Sequence, residues 1–583
     1  MIKKLIESSQ ADNIPPTNSA AEAYRASSLF PIISCTTAYI FYILLSVAVI
    51  FNISGFVTQM WLSIKFAWVG KWIPRDLGLA SDAYVSRQNT GFLELMLLLA
   101  LTFAAYGLSA LIIHRQLRRQ DTQSKLPLMM RLIWLGTLLG GCIYLFTPGL
   151  LASDVYSYAS YGRILIVHAA NPYFVPPSAF PQDPVYHLLY WKDTVSIYGP
   201  IWMGVCSLLA LLGGSSQEGL LLAFRIFALA AHLLNIWLVT AILRAMGRSE
   251  RTVVLGTLLY AWNPLVLSES SLGGHNDVFM VTFLLLGLLL SARAETGGQD
   301  SRMRLRTYIL PLIAFSLAAL VKFSAVPMVA IFILALCCKA LQPAPSQTKG
   351  ERNPLRWRFA LLTTLTASCI SAGLALALYS PFWMGHSIKD IVNSFILLPS
   401  AVNAFNSILF TLNAWNSVYS LPQALIFLTD RKLWNIVNSI GMILPVVLGA
   451  VYLWRAPTTR TIALVSLATL AIFLVVTPWF FAWYVTWLVG LAAICLPVAH
   501  ERLARGLMAF TLTLSATAFL TYYSTLIGWY LLSHQPHNAD WAVLVCIGEL
   551  GIPLLALLAG VVSRRSWFPN MKLAAVLTKI ELL

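Results

Sequence analysis

Long apolar runs, each ended by a short polar or basic interval, recur from about residue 29 to residue 562. Met96 to Ile113 is representative: apolar positions follow one another without the polar alternation of a barrel strand, over a length that suits a helix crossing a bilayer. The pattern predicts an all-α polytopic membrane protein with about 14 transmembrane helices (range 12–14). They fall near 29–53, 92–113, 129–147, 219–244, 252–272, 277–293, 306–321, 323–340, 358–379, 434–455, 460–477, 482–499, 506–528 and 541–562. Pro200 to Leu212 interrupts the series, because it is apolar but well short of the roughly 20 residues a span needs. It reads as a juxtamembrane helix at the outer surface.

Composition agrees. Of 583 residues, 58% are hydrophobic and 11% charged, and the mean hydropathy is +0.75, more apolar surface than a soluble fold can bury. The net charge of +16 does not indicate a nucleic-acid partner, because most of the 39 Lys and Arg fall on one side of the predicted topology. With both termini cytoplasmic, that basic side is the cytoplasm, and loops 54–91, 148–218 and 380–433 are extracytoplasmic. Residues 1–28 and 566–583 read as cytoplasmic tails around a membrane domain over 29–565. The eight cysteines lie mostly in apolar segments with no CxxC pair, so no disulfide or cysteine-metal framework is expected. No internal repeat is visible.

Candidate chemistry gathers in the outer loops. Asp154 opens the polar run Ser153 to Arg163 directly after an apolar helix, and the same loop holds Tyr156, Tyr158, Tyr161, Tyr173, Tyr186, Tyr190, Trp191 and Tyr198. Loop 380–433 adds Trp383, His386, Trp415 and five asparagines. Aromatics with amides suit the C–H faces and hydroxyls of a sugar, and an interfacial aromatic belt accounts for them equally simply.

The runs Ser153-Asp154-Val155-Tyr156-Ser157-Tyr158, Asn171-Pro172-Tyr173, Tyr198-Gly199-Pro200-Ile201-Trp202 and Leu272-Gly273-Gly274-His275-Asn276-Asp277 together resemble GT-C glycosyltransferases. More narrowly, they resemble the polyprenol-phosphate-mannose-dependent α-1,6-mannosyltransferases of bacterial envelope glycan synthesis, from about residue 90 onward. That resemblance implies a GT-C fold in the cytoplasmic membrane and a hexose, mannose, carried on a polyprenyl phosphate. It further implies inverting transfer to a glycan or lipoglycan acceptor on the extracytoplasmic face, with Asp154 as base. Ser153 stands where some members carry a second acid.

Such a reaction needs a proton acceptor, cationic stabilisation of the leaving phosphate and a groove for the isoprenoid. Asp154 is the candidate base, and the alternative for it is a helix N-cap before the amphipathic run Val155 to Val167. Arg163, Arg225 and Lys322 are candidate phosphate contacts, each also able to snorkel or to pair with a carboxylate such as Glu269. Tyr156, Tyr158, Asn171, Tyr173, Tyr198, Trp483 and Tyr484 are candidate substrate contacts. His275, Asn276 and Asp277 either join them or merely start the next helix. His275 and Asp277 alone are too few to argue a metal, so no cofactor is expected. His534 and His537 read as solvated loop residues. The rival functions are a transporter or flippase of lipid-linked glycans, and a GT-C enzyme with a diphosphate donor or a protein acceptor.

Overall fold

The computed structural model describes residues 31–48, 82–117, 125–147, 152–296, 305–342, 355–396, 404–496, 501–523 and 538–563. Both predicted tails, His534 and His537 lie outside these residues. Within them the regular structure is helical, apart from one isolated bridge between Phe405 and Trp479. Among the described residues, eleven helices are long and apolar enough to cross a membrane, in a multi-pass architecture. The other three predicted spans correspond to shorter helices, Leu305–Val321, Thr486–Ile494, and a pair formed by Glu250–Ala261 and Pro264–Ser271. That pair breaks at Asn263-Pro264. Proline lacks the N–H that would continue the ladder and disfavours helical geometry in the residue before it. Asn263 turns the break into a cap, accepting from Val266 N at 3.2 Å and donating to Ser515 Oγ at 3.0 Å.

Aromatic and polar anchors fasten the bundle around this broken segment. Trp262 stacks on Tyr39 at 5.1 Å and donates its indole N–H to Ile133 O. Tyr106 donates to Leu259 O from a third helix. The helices Arg356–Trp383 and Arg431–Arg455 expose most of their apolar side chains, as helices facing lipid do.

Between the spans Leu126–Leu145 and Gln217–Ala245, the chain builds two short helices, Asp154–Ile166 and Pro200–Gly213, which pack on each other. The second is the predicted juxtamembrane element. Its N-cap, Gly199, donates its N–H to Val321 O at 3.1 Å, and a Cβ there would lie 1.9 Å from Leu320 O. Only glycine permits this approach, which docks the segment between these two spans onto the residues just before Lys322. Gly199→Ala forces the backbones apart and is expected to cost about 1–3 kcal/mol, a typical overpacking penalty. Thermal unfolding in detergent reads this as a lowered midpoint.

Candidate active site

Three helix beginnings and one interhelix turn converge. Asp154 is the first residue of its helix, after Ser153 at the N-cap, so the capping alternative does not describe it. Its carboxylate makes no hydrogen bond among the described residues and stays partly exposed. Burial pushes its carboxyl up, to about 7; the nearby Lys322 ammonium opposes the rise and the Asp277 carboxylate adds to it.

Asp277 begins the helix Asp277–Thr296 and is fully buried. Its Oδ1 accepts from Lys322 Nζ at 2.7 Å and from Trp487 Nε1 at 2.6 Å, while Oδ2 has no partner. Lys322 sits in extended conformation between Leu305–Val321 and the short 3-10 turn Phe323–Ala325. Its ammonium lies 4.3 Å from the Tyr484 ring centroid and 5.3 Å from that of Trp487. Those two rings stack at 4.7 Å. The cation is therefore held by one carboxylate and two π faces, within electrostatic reach of Asp154.

The Gly273-Gly274 turn shapes the next part. Gly274 has φ of +66°, and a Cβ on Gly273 would fall 2.5 Å from the His275 ring. His275 stacks on Trp483 at 4.1 Å, with Nε2 3.3 Å from Glu269 Oε2. Tyr522 donates its hydroxyl to that same carboxylate, at 2.8 and 2.9 Å from its two oxygens. Asn276 Oδ1 lies 3.4 Å from the Tyr158 hydroxyl, and its Nδ2 has no partner. Tyr158 meets Tyr198 and Trp202 edge-on, at 5.1 and 5.2 Å. The hydroxyls of Tyr198 and Tyr484 lie within electrostatic reach of Asp154.

Asp154, Lys322, Tyr158, Tyr198, His275, Asn276, Asp277, Trp483 and Tyr484 thus share one neighbourhood, although they come from five separate stretches of chain. Two cations do not join them. Arg225 is fully buried and donates to Leu272 O at 2.8 Å, Leu145 O at 3.1 Å and Thr147 O. These carbonyls end two helices, so the guanidinium ties helix C-termini together instead of meeting a phosphate. Arg163 pairs with Asp183 at 3.0 Å and donates to Gly214 O at 2.8 Å, bracing the segment between the spans Leu126–Leu145 and Gln217–Ala245. Asn171 likewise braces, donating to Phe382 O and accepting from Tyr173 N. Tyr173 donates to Tyr198 O, and the Tyr156 hydroxyl is buried without a partner.

Sequence reasoning did not single out Trp487 or Tyr522, and it offered Glu269 only as a counter-ion. Trp487 was within reach, since it lies one turn beyond Tyr484 and therefore on the same face. Tyr522 meets Glu269 across 253 residues, and no local signal announces that contact. Among the described residues, no group of three or more His, Cys, Asp or Glu is arranged to hold a metal ion.

Residues 52–338 match the family model described as Alpha-(1->6)-mannopyranosyltransferase, N-terminal domain. Alpha-(1->6)-mannopyranosyltransferase A of Mycobacterium tuberculosis is 24% identical over 382 residues, covering 65% of this chain and 66% of that protein. Alpha-(1->6)-mannopyranosyltransferase B of Corynebacterium glutamicum is 29% identical over 155 residues, 26% of this chain and 25% of that protein. The chain therefore spans just under two thirds of the first relative and a quarter of the second. Among solved structures, the apo oligosaccharyltransferase of Archaeoglobus fulgidus aligns with 79% of this chain and 58% of its own, at a TM-score of 0.33 and 13% identity.

Proposed function

We propose that this chain, a relative of the α-(1→6)-mannopyranosyltransferases through residues 52–338, is a GT-C-type membrane mannosyltransferase of the cytoplasmic membrane. Its donor is mannose on a polyprenyl phosphate, and its acceptor is a hydroxyl of a glycan or lipoglycan on the extracytoplasmic face. The observation that carries this reading is the cluster of polar and charged side chains around Asp154. There a carboxylate without a hydrogen bond stands near a lysine and a set of buried, unpartnered polar atoms: Asp277 Oδ2, Asn276 Nδ2 and His275 Nδ1. Leaving such groups unsatisfied costs about 1–3 kcal/mol each, and hydroxyls of a bound sugar would satisfy donor and acceptors alike.

In this mechanism Asp154 takes the proton of the acceptor hydroxyl as its oxygen bonds to the anomeric carbon. The bond from that carbon to the phosphate oxygen breaks on the opposite face, and its electron pair leaves with the polyprenyl phosphate. In-line displacement converts a β-linked donor into an α-linked product. Lys322 is near enough to Asp154 to act on its charge, and its ammonium balances the charge gathering on the departing phosphate. Asp154 then returns its proton to water.

Incubating purified protein in detergent with synthetic polyprenyl-phosphate mannose and a short α-mannoside, followed by mass spectrometry, tests the reading. Extension of the acceptor by one hexose is expected. Absence of transfer, or transfer only from a diphosphate donor, overturns it, and a transporter would produce no extension in detergent.

The same assay carries a pH prediction. The base must be ionised, and its carboxyl is pushed up to about 7, so activity is gained as pH rises. We expect kcat/KM to climb about tenfold per unit below roughly pH 6 and to flatten above about pH 8. Lys322 opposes the rise in the Asp154 pKa, so Lys322→Met moves this limb to higher pH. A limb that stays put or moves the other way contradicts the proposed electrostatics.

A further inference from the structure

Three helices run from the neighbourhood of Asp154 to the other end of the bundle. Gln217–Ala245 and Asp277–Thr296 end there, and Thr459–Val476 begins there. The 20 residues of the second place that end about 30 Å from Asp277. A cavity of about 720 Å³ opens between the helix ends, lined by Arg244, Gly247, Arg248, Glu295, Thr458 and Arg460, among others.

Its charges are unevenly matched. Arg244 is held by both oxygens of Glu250, at 2.9 Å each, and Arg460 by Glu501. Glu295 is occupied at a helix beginning, where it accepts from Thr459 N at 2.6 Å and Thr459 Oγ at 2.9 Å. The Arg248 side chain makes no hydrogen bond or close ion pair among the described residues; it lies near Arg460, which repels it, and near Glu501, which attracts it but is already engaged by Arg460. Half-buried, it shares that one carboxylate with a second guanidinium, so the cluster keeps an excess of positive charge.

Across the Arg244–Glu250 pair lies a second cavity of about 540 Å³, lined by Leu126, Pro127, Met130 and Val254 together with that pair. Its apolar wall begins the membrane span Leu126–Leu145. A cationic pocket sharing one ion-paired wall with an apolar groove, at the end of membrane helices, has the form that takes a lipid head and its chain.

We propose that this end of the bundle binds one anionic phospholipid, its phosphate against Arg248 and one acyl chain along the Leu126–Met130 groove. The site lies away from Asp154 and does not depend on the reaction assigned there. Phosphate as a ligand chemistry has two sources, a lipid head and the free ion, and the groove favours the lipid.

The test uses the full chain in nanodiscs of phosphatidylcholine, with spin-labelled phosphatidylglycerol as the probe and spin-labelled phosphatidylcholine as the reference. Wild-type protein is expected to immobilise the anionic probe preferentially. Arg248→Gln should reduce that preference about fivefold, the contribution of one basic side chain at an anionic surface. Arg248→Lys should keep most of it, and Lys432→Gln, outside both cavities, should keep all of it. Unfolding midpoints measured alongside identify any variant whose loss reflects misfolding, in which case Arg248→Lys against wild type decides. An unchanged preference in Arg248→Gln overturns the proposal. So does displacement of the probe by millimolar inorganic phosphate, which would make the site one for the free ion.

Discussion

Asp154→Asn is expected to abolish mannosyl transfer, by at least the roughly 10²–10⁴-fold that general-base assistance contributes, while donor binding stays close to wild type. Asparagine keeps the size of the side chain and removes its proton-accepting charge. The carboxylate makes no hydrogen bond among the described residues, so the exchange deprives no partner of an acceptor. It also relieves a buried negative charge next to Asp277, and the variant should therefore fold at least as well as the parent. A protein that is intact by thermal unfolding, binds the polyprenyl-phosphate sugar and transfers nothing is the expected outcome. Near-normal turnover would remove Asp154 from the reaction.

Asp277→Ala has the largest expected effect on stability. Its Oδ1 is the meeting point of the Lys322 ammonium and the Trp487 indole N–H, and both lose their acceptor at once. Lys322 is 15% exposed and Asp277 0%, so the abandoned cation has little water to turn to. Removing one partner of a buried pair costs about 3–5 kcal/mol, because the remaining charge is left desolvated without compensation. The double variant Asp277→Ala, Lys322→Met should recover a large part of that loss, since no charge is then stranded. Additive losses across the two sites would show that the pair is uncoupled. Asp277→Asn, which keeps an oxygen for Trp487, is expected to fall between wild type and the alanine variant.

The residues legible in the sequence were those whose presence among apolar helices is costly. Asp154 and Lys322 stood out for that reason, Asp277 through its motif, and the structure brings the three into one neighbourhood. Cost alone does not say how it is met. Arg225 was as conspicuous as Lys322, yet among the described residues it is met by main-chain carbonyls, a partner type that no side-chain pattern reveals. Arg163 found Asp183 twenty residues away in a loop without periodicity. Asn171 and Tyr173 belong to a motif, but the contacts they make hold loops in place. The helical class followed from the length of the apolar runs. The span count did not, because 252–272 reads as one continuous run unless Asn263-Pro264 is taken as a break.

The Arg225 clamp bears on how the protein is assembled. Among the described residues, its carbonyl acceptors include the end of one helix that precedes it in the chain, at Leu145 and Thr147, and the end of another that follows it, at Leu272. Until the later helix has inserted, the guanidinium lacks part of its coordination, in surroundings that heavily penalise an unsolvated charge. The hydrogen bonds that join the segments leading into Asp154 and Asp277 through Arg225 are therefore complete only once the carbonyl of Leu272 is in place, so this part of the bundle closes late in the chain's order.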